Sequence, residues 1–365
     1  MKRSWAGPAI AFVVAAALAA CAALGGRALD ADLLHVTLLQ INDHYVLEPV
    51  DGGRRGGMAR LATLVRDLKR ENPNTIFALA GDTLSPSVES ALMRGAQMVA
   101  ALNAIGLDVA TFGNHEFDFG PEVLLERMKE SKFRWLSANV VDRRSGQAFG
   151  GASTEMLVTL GGVRVGLFGL TTAQAAQTSR PGPDVTFAQP VTAAKDVAAR
   201  LRAQGAGIVV AVGHVTMAED KAIAAAADVD VILGGHEHEP LVAEEGKTLI
   251  TKAGSDARYL VQVDVWLTRE GRLVERSWRF REVSRRIEPD PAVEALVRDY
   301  ARRLDRELDA VVGKSSLPLE ARSATLRTEE TNLGDFVADA LRERLGSDVA
   351  LINGGAIRTN RTVPP

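Results

Sequence analysis

Runs of apolar residues recur along the chain, and each ends abruptly in a polar or glycine-containing turn. Residues 36–41 run into Asn42-Asp43-His44, 75–80 into Gly81-Asp82, and 109–112 into Gly113-Asn114-His115-Glu116. Residues 208–212 end in Gly213-His214, and 229–233 in Gly235-His236-Glu237-His238. Short continuous apolar runs bounded by turn residues are what strands buried on both faces look like. Between them the apolar positions fall at helical spacing. Leu61, Leu64, Val65 and Leu68 mark a helix over 58–70, after the Gly-rich loop 52–57. Further helices are predicted over 88–105, from Pro121 (a good first-turn residue), over 191–203, and through the Ala-rich stretch before the 229–233 strand. Runs 156–160 and 163–170 flank Gly161-Gly162 as a hairpin. Runs 249–252, 258–267 and 273–283 read as an antiparallel edge or a second sheet. The alternation is that of an α/β protein.

In a mostly parallel sheet these strand ends share one rim, where α/β proteins place ligands. The rim would carry Asp43, Asp82, Asn114, His115, His214, His236 and His238. Carboxylate, amide and imidazole donors together suit a pair of divalent metals. Each residue alone has an ordinary structural reading: Gly81-Asp82 as a helix cap, Asn114 as a left-handed turn, His236 and His238 as rim histidines. Their order along five strand ends argues for one site. His35 starts a strand without a motif and reads as exposed.

Glu288-Pro289-Asp290-Pro291 breaks the pattern, and the charged helix over 292–308 reads as a strut between two units. From Val311 a new unit begins: a strand, a helix over 333–344, a strand over 348–352 and the turn Asn353-Gly354-Gly355. It has no closing element, so it reads as a truncated domain with apolar surface left unpaired.

Composition adds exclusions. With 46% hydrophobic and 24% charged residues the chain is globular, and a net charge of −3 with no basic run beyond pairs and triplets gives no sign of a nucleic-acid face, so no nucleic-acid polymer is expected as partner. Lys2 and Arg3 precede an apolar stretch over 9–20, too short to span a bilayer and laid out as an export signal. The one cysteine, Cys21, follows Leu18-Ala19-Ala20, and Leu-Ala-Ala-Cys resembles the bacterial lipobox. Residues 1–21 are therefore predicted to be a signal peptide with lipobox, and the mature protein to lie in the periplasm or cell envelope, lipid-anchored through Cys21. A free cysteine in an ordinary cleaved signal, or an uncleaved anchor, are the alternatives. No cysteine remains for an internal disulfide. No Gly-x-x-x-x-Gly-Lys-Ser/Thr occurs, which argues against a P-loop module. Nothing in the sequence bears on oligomeric state.

The ordered set Asp43, Asp82, Asn114-His115, His214 and His236-x-His238 resembles the calcineurin-like metallophosphoesterases. Gly113-Asn114-His115-Glu116-Phe117-Asp118, Gly56-Gly57-Met58-Ala59-Arg60-Leu61 and Asn353-Gly354-Gly355-Ala356-Ile357-Arg358 resemble the 5′-nucleotidase branch, over 33–365. The resemblance implies a four-layer αββα catalytic sandwich over 33–285, a linker helix over 286–310 and a partial substrate-binding domain over 311–365. It implies a hydrolase of nucleotides or related phosphoesters that uses two divalent ions (Mn, Zn, Co or Fe). Asp82 would bridge them, Asn114, His214 and His236 would complete one, and Asp43 and His238 would bind the other. Two such ions, about 3.5–4 Å apart, lower the pKa of a water and clamp phosphate oxygens. His115 would stabilise the transition state or protonate the leaving oxygen, with Asp118 holding its ring. Arg358 and Asn353, and less directly Arg327, match substrate-contacting positions.

One departure stands out. The family has Asp-x-His at the first motif, whereas this chain has Asp43-His44-Tyr45, with tyrosine where a metal-binding histidine is expected. Adjacent side chains on an extended backbone point to opposite sides, so Tyr45 rather than His44 would face the metals unless a local bulge swings His44 inward. A phenol is a poor ligand for Zn²⁺ or Mn²⁺, so the first metal site is expected to be unusual. Two rival readings remain: a thiohydrolase of the same fold, and an exported lipoprotein whose degenerate site only binds metal or nucleotide.

Overall fold

The computed structural model describes residues 33–365 except 310, 312, 358 and 360. The expected export signal and Cys21 lie outside the described residues. The chain divides into two units, Met1–Leu304 and Asp305–Pro365.

The first unit holds two six-stranded sheets. One contains β1 (Leu34–Ile41), β2 (Thr75–Leu79), β3 (Val109–Thr111) and β4 (Arg134–Leu136), all parallel. The other contains the hairpin β5 (Glu155–Leu160) and β6 (Val163–Thr171), then β7 (Ile208–His214), β8 (Val231–Gly234), β9 (Pro240–Glu245) and β10 (Thr248–Ala253). Strands β11 (Tyr259–Leu267) and β12 (Leu273–Glu282) return to the first sheet, where β11 runs antiparallel to β1.

Side-chain alternation sets the layers. Val36 and Leu38 of β1 meet Val210 and Val212 of β7 in a core between the sheets. The alternate residues Leu39 and Ile41 pack on helices α1 (Met58–Glu71) and α3 (Ala96–Ile105). Val209 and Ala211 pack on helices α5 (Pro190–Ala203) and α6 (Met217–Ala226) on the opposite outer face. The result is helix–sheet–sheet–helix, and strands covered on both faces explain the unbroken apolar runs.

The strand ends come from two facing sheets, β1 to β3 on one and β7 and β8 on the other, as the four-layer αββα sandwich requires, so the shared rim lies between sheets rather than along one. Two expectations change. The helix expected over 88–105 is two, α2 (Val88–Met93) and α3, because Arg94 and Gly95 both take left-handed backbone between them. His35 is not simply exposed: its Nε2 lies 2.8 Å from Asp264 Oδ1, and its ring stacks on Trp266 at 4.8 Å.

Helix α4 (Pro121–Glu130) starts at Pro121 as expected. Helix α7 (Pro291–Leu308) buries Val293 and Val297 in the same core as α1, so its first turns belong to the first unit. In the second unit the helix α8 (Asn332–Leu345) forms, capped by Thr331. The strands expected after Val311 and over 348–352 do not appear among the described residues, apart from a single bridge between Leu319 and Val363. A strand needs a neighbour for its backbone groups, and Leu351 is 92% exposed with no strand beside it among the described residues. Phe336, Leu345 and Val349 are exposed too.

Candidate metal centre

The loops leaving β1, β2, β3, β7 and β8 meet where the two sheets face each other. Their backbone is unusual. Asp43, Asp82 and His236 are non-glycine residues at φ of 50°, 59° and 78°. Left-handed backbone costs such residues on the order of 1–3 kcal/mol and persists where surroundings enforce it, often at functional sites. Gly113 shows how close the loops lie: a Cβ there would sit 2.0 Å from Asp82 Oδ1.

The side chains converge. Single ligand atoms from Asp43, Asp82 and His214 lie within 4.8 Å of one another, and all three residues are buried. His214 Nε2 is 3.1 Å from Asp82 Oδ2, and His238 Nε2 is 3.1 Å from Asp43 Oδ1. His236 Nδ1 is 3.3 Å from His214 Nε2, while its backbone N–H donates to Asp43 Oδ2 at 2.9 Å. His214 Nδ1 lies 2.8 Å from the Ala80 carbonyl, which can only accept. Nδ1 therefore carries a proton, so Nε2 is the ring nitrogen turned toward the centre.

Asn114 supplies the test of whether a cation fits. Its Oδ1 is buried without any hydrogen-bond partner. A buried acceptor left so costs about 1–3 kcal/mol, and a cation among these carboxylates and imidazoles would satisfy it. The donor set, oxygen with imidazole nitrogen, suits divalent first-row metals.

The charges agree. Burial works against the Asp43 carboxylate, yet His214, His238 and Asn42 outweigh it and hold the carboxyl at about 2. Burial likewise opposes the His214 cation, but Asp82 and Asp43 raise its pKa to about 10. His238 is raised chiefly by its bond to Asp43, whereas burial and His214 lower His236. The pocket is thus a well of negative potential where histidine protons stand in for positive charge.

Tyr45 points into this centre. Its hydroxyl donates to Asp43 Oδ1 at 2.9 Å and lies 3.2 Å from His238 Nε2. Burial, then the Asp82 and Asp43 charges, push its pKa far up, so it remains a neutral phenol. Its neighbour His44 faces away. That ring is wholly buried with neither nitrogen partnered, and burial lowers its pKa to about 4.

His115 stands at the edge of the cluster, its Nε2 4.0 Å from Asp82 Oδ2. Its Nδ1 lies 2.7 Å from Asp118 Oδ2. Burial lowers its pKa, but Asp118 and Asp82 prevail and raise it. Aimed at the centre by one carboxylate, the ring is placed to donate a proton from Nε2.

Glu116 has a part that its motif did not disclose. It is wholly buried and accepts the backbone N–H groups of Asp82 at 2.9 Å, Thr83 at 2.7 Å and Leu84 at 3.3 Å, together with that of Gly113. Its burial, three residues beyond Gly113 and beside the loop of another strand, had no sequence signal. It ties the Asp82 loop to the Asn114 loop. Glu116→Ala would leave these amides without an acceptor, at about 1–3 kcal/mol each. It is expected to destabilise the metal-free protein by several kcal/mol, read as a large fall in Tm.

In the second unit, Arg327 and Asn353 line one cavity of about 430 Å³ with Gly355 and Ala356. Asn353 Oδ1 accepts the Gly355 N–H at 2.9 Å, which fixes the turn. Arg358 lies outside the described residues.

Comparison with known proteins follows the same division. The family model described as calcineurin-like phosphoesterase matches residues 36–240, more than half of the chain, and that of the 5′-nucleotidase C-terminal domain matches 311–365. Human 5′-nucleotidase is 28% identical over 89% of this chain, and a trifunctional nucleotide phosphoesterase of Bacillus subtilis is 28% identical over 82%. The chain spans 64% of the human relative's length and 24% of the Bacillus one's. A 5′-nucleotidase precursor from Thermus thermophilus superposes with a TM-score of 0.77 at 28% identity, covering 91% of this chain and 71% of that one.

Proposed function

The chain belongs to the calcineurin-like phosphoesterases, and on that premise we propose that it hydrolyses phosphoesters, nucleotides foremost, at a pair of divalent cations. The observation that carries this reading is the convergence of Asp43, Asp82, His214, His236 and His238 on one point beside the unpartnered Oδ1 of Asn114.

Asp82 would be the residue shared between the two cations. Asn114, His214 and His236 would hold one of them, and Asp43 and His238 the other. When bound, the ions supply Lewis acidity that lowers the pKa of a water and draws charge from phosphate oxygens. His115, held by Asp118, gives a proton to the departing oxygen or stabilises the charge that develops there. Arg327, Asn353 and Arg358 match substrate-contacting positions in the resemblance, and a guanidinium fork suits a phosphate oxygen pair. Phosphate release from a panel of nucleotides, by protein lacking residues 1–21 and reloaded with Mn²⁺, Zn²⁺, Co²⁺ or Fe²⁺, tests the substrate class. Release from nucleotides is expected, and release from none of them with any metal would refute it.

Tyr45 weakens the cation position next to Asp43 and His238, because its neutral phenol occupies both groups. Tyr45→His offers an imidazole lone pair in its place. It is expected to raise affinity for the weaker ion at least tenfold, about 1.4 kcal/mol, as read by calorimetric metal titration. Unaltered metal content and turnover would mean that position 45 has no role at the metals.

The charged start, short apolar stretch and Leu18-Ala19-Ala20-Cys21 support export with a lipid anchor on Cys21. Two buried acyl chains hold a protein stably to a membrane. Cys21→Ser is expected to move the protein from the membrane fraction to the soluble one after cell fractionation. An unchanged distribution would rule the anchor out.

A further inference from the structure

Lys252 is a fully buried lysine on β10, and its ammonium sits among four oxygens from three segments. Nζ donates to the carbonyls of Val215 and Gly235, each at 2.7 Å, and to Glu237 Oε2. Asp220 Oδ2 of helix α6 lies 2.8 Å away. Glu237 extends the grip, since its Oε1 accepts the Met217 N–H at 2.7 Å.

The placement of these oxygens is informative. Val215 directly follows His214, Gly235 directly precedes His236, and Glu237 stands between His236 and His238. One ammonium thus holds the backbone on both loops that carry the three histidines of the second sheet, without touching any of their rings. The register supports it: Lys252 pairs with Gly234 across β10 and β8. Gly234 leaves room for the stem, because a Cβ there would lie 3.2 Å from Lys252 Cε and 3.0 Å from Asp220 Oδ2.

Burying an ammonium costs several kcal/mol, and a well-packed apolar residue of similar size often serves stability equally well. Lysine offers what methionine does not, three directed donors at one point. We propose that Lys252 is a positioning residue that sets the relative placement of His214, His236 and His238 for cation binding. The proposal rests on the two-cation reading above only for its affinity readout.

The six histidines supply an internal test. His214, His236 and His238 lie on the loops that Lys252 holds, whereas His35, His44 and His115 belong to other segments. Lys252→Met strands the buried Asp220 carboxylate, so Lys252→Met/Asp220→Asn is the decisive variant, with the buried charges removed together. Ring resonances of the metal-free protein are recorded by NMR, and Mn²⁺ and Zn²⁺ affinity by calorimetry.

The double variant is expected to keep a Tm close to the parent's, to shift or broaden the His214, His236 and His238 resonances selectively, and to bind metal 10–100-fold more weakly, the range typical of lost support around ligands. Unmoved ring resonances, or six that move together, would overturn the proposal, as would parental metal affinity in a folded double variant. The resonances decide the matter without metal, so a parent that binds no cation would sink the two-cation reading and leave this test standing.

Discussion

Asp82→Asn is expected to abolish turnover while leaving the fold intact. Asp82 is the residue on which the cluster closes: Oδ2 meets His214 Nε2 at 3.1 Å, and Oδ1 accepts the His115 N–H at 2.8 Å. An amide has one acceptor oxygen in place of two and no charge, so it cannot serve two cations. Losing their stabilisation of developing charge is worth at least about 4 kcal/mol, roughly a thousandfold in rate. Stability should move little. Without metal, Asp82 is buried beside Glu116, whose carboxyl is pushed up to about 7 by burial and then by the Asp82 charge. Neutralising Asp82 relieves that repulsion but withdraws the nearest partner of the buried His214 cation, so the two effects oppose and the metal-free variant should melt near the parent. Thermal scans, metal analysis and turnover separate the two effects. An active variant would remove Asp82 from the chemistry.

His115→Asn is expected to act differently, leaving both cations bound and lowering kcat by about 10²–10⁴, the usual contribution of a positioned proton donor. His115 Nε2 stops 4.0 Å from Asp82 while His214 Nε2 approaches to 3.1 Å, the geometry on which we propose His115 as a proton donor rather than a ligand. Asp118 should matter through His115 alone. Asp118→Asn is therefore expected to add little when His115 is already asparagine, since residues acting as one unit are not additive. Parental metal affinity with a kcat loss in this range supports the assignment. A loss of bound metal in His115→Asn would make the residue a ligand.

The strand ends were legible because each couples an apolar run to a polar turn, and a buried strand gives its residues no other place to put Asp43, Asp82 or His214. The apolar runs alone did not assign each strand to its sheet, since strands buried on both faces read alike whichever sheet they join; the two-sheet sandwich came only from the family resemblance. The break at Arg94-Gly95 was visible only as one glycine inside a long helical pattern, and an arginine in left-handed backbone carries no sequence signal. Tyr45 was identifiable as a departure from a known motif, but its contacts with Asp43 and His238 are tertiary and carry no sequence signal. Glu116 and Lys252 were illegible for a common reason. Each binds backbone groups of loops distant in sequence, and backbone partners leave no pattern in the side chains. The strands expected in the second unit failed because apolar alternation predicts a strand only where a neighbour accepts its hydrogen bonds.

The most direct test of the two-cation account needs only the first unit. Metal-stripped protein is titrated with Mn²⁺ while bound ions are counted and hydrolysis of a small aryl phosphate, which needs no nucleoside pocket, is followed. The account predicts no release without metal and turnover that rises as the second ion binds. Release from fully stripped protein, or no release with two ions bound, would contradict it.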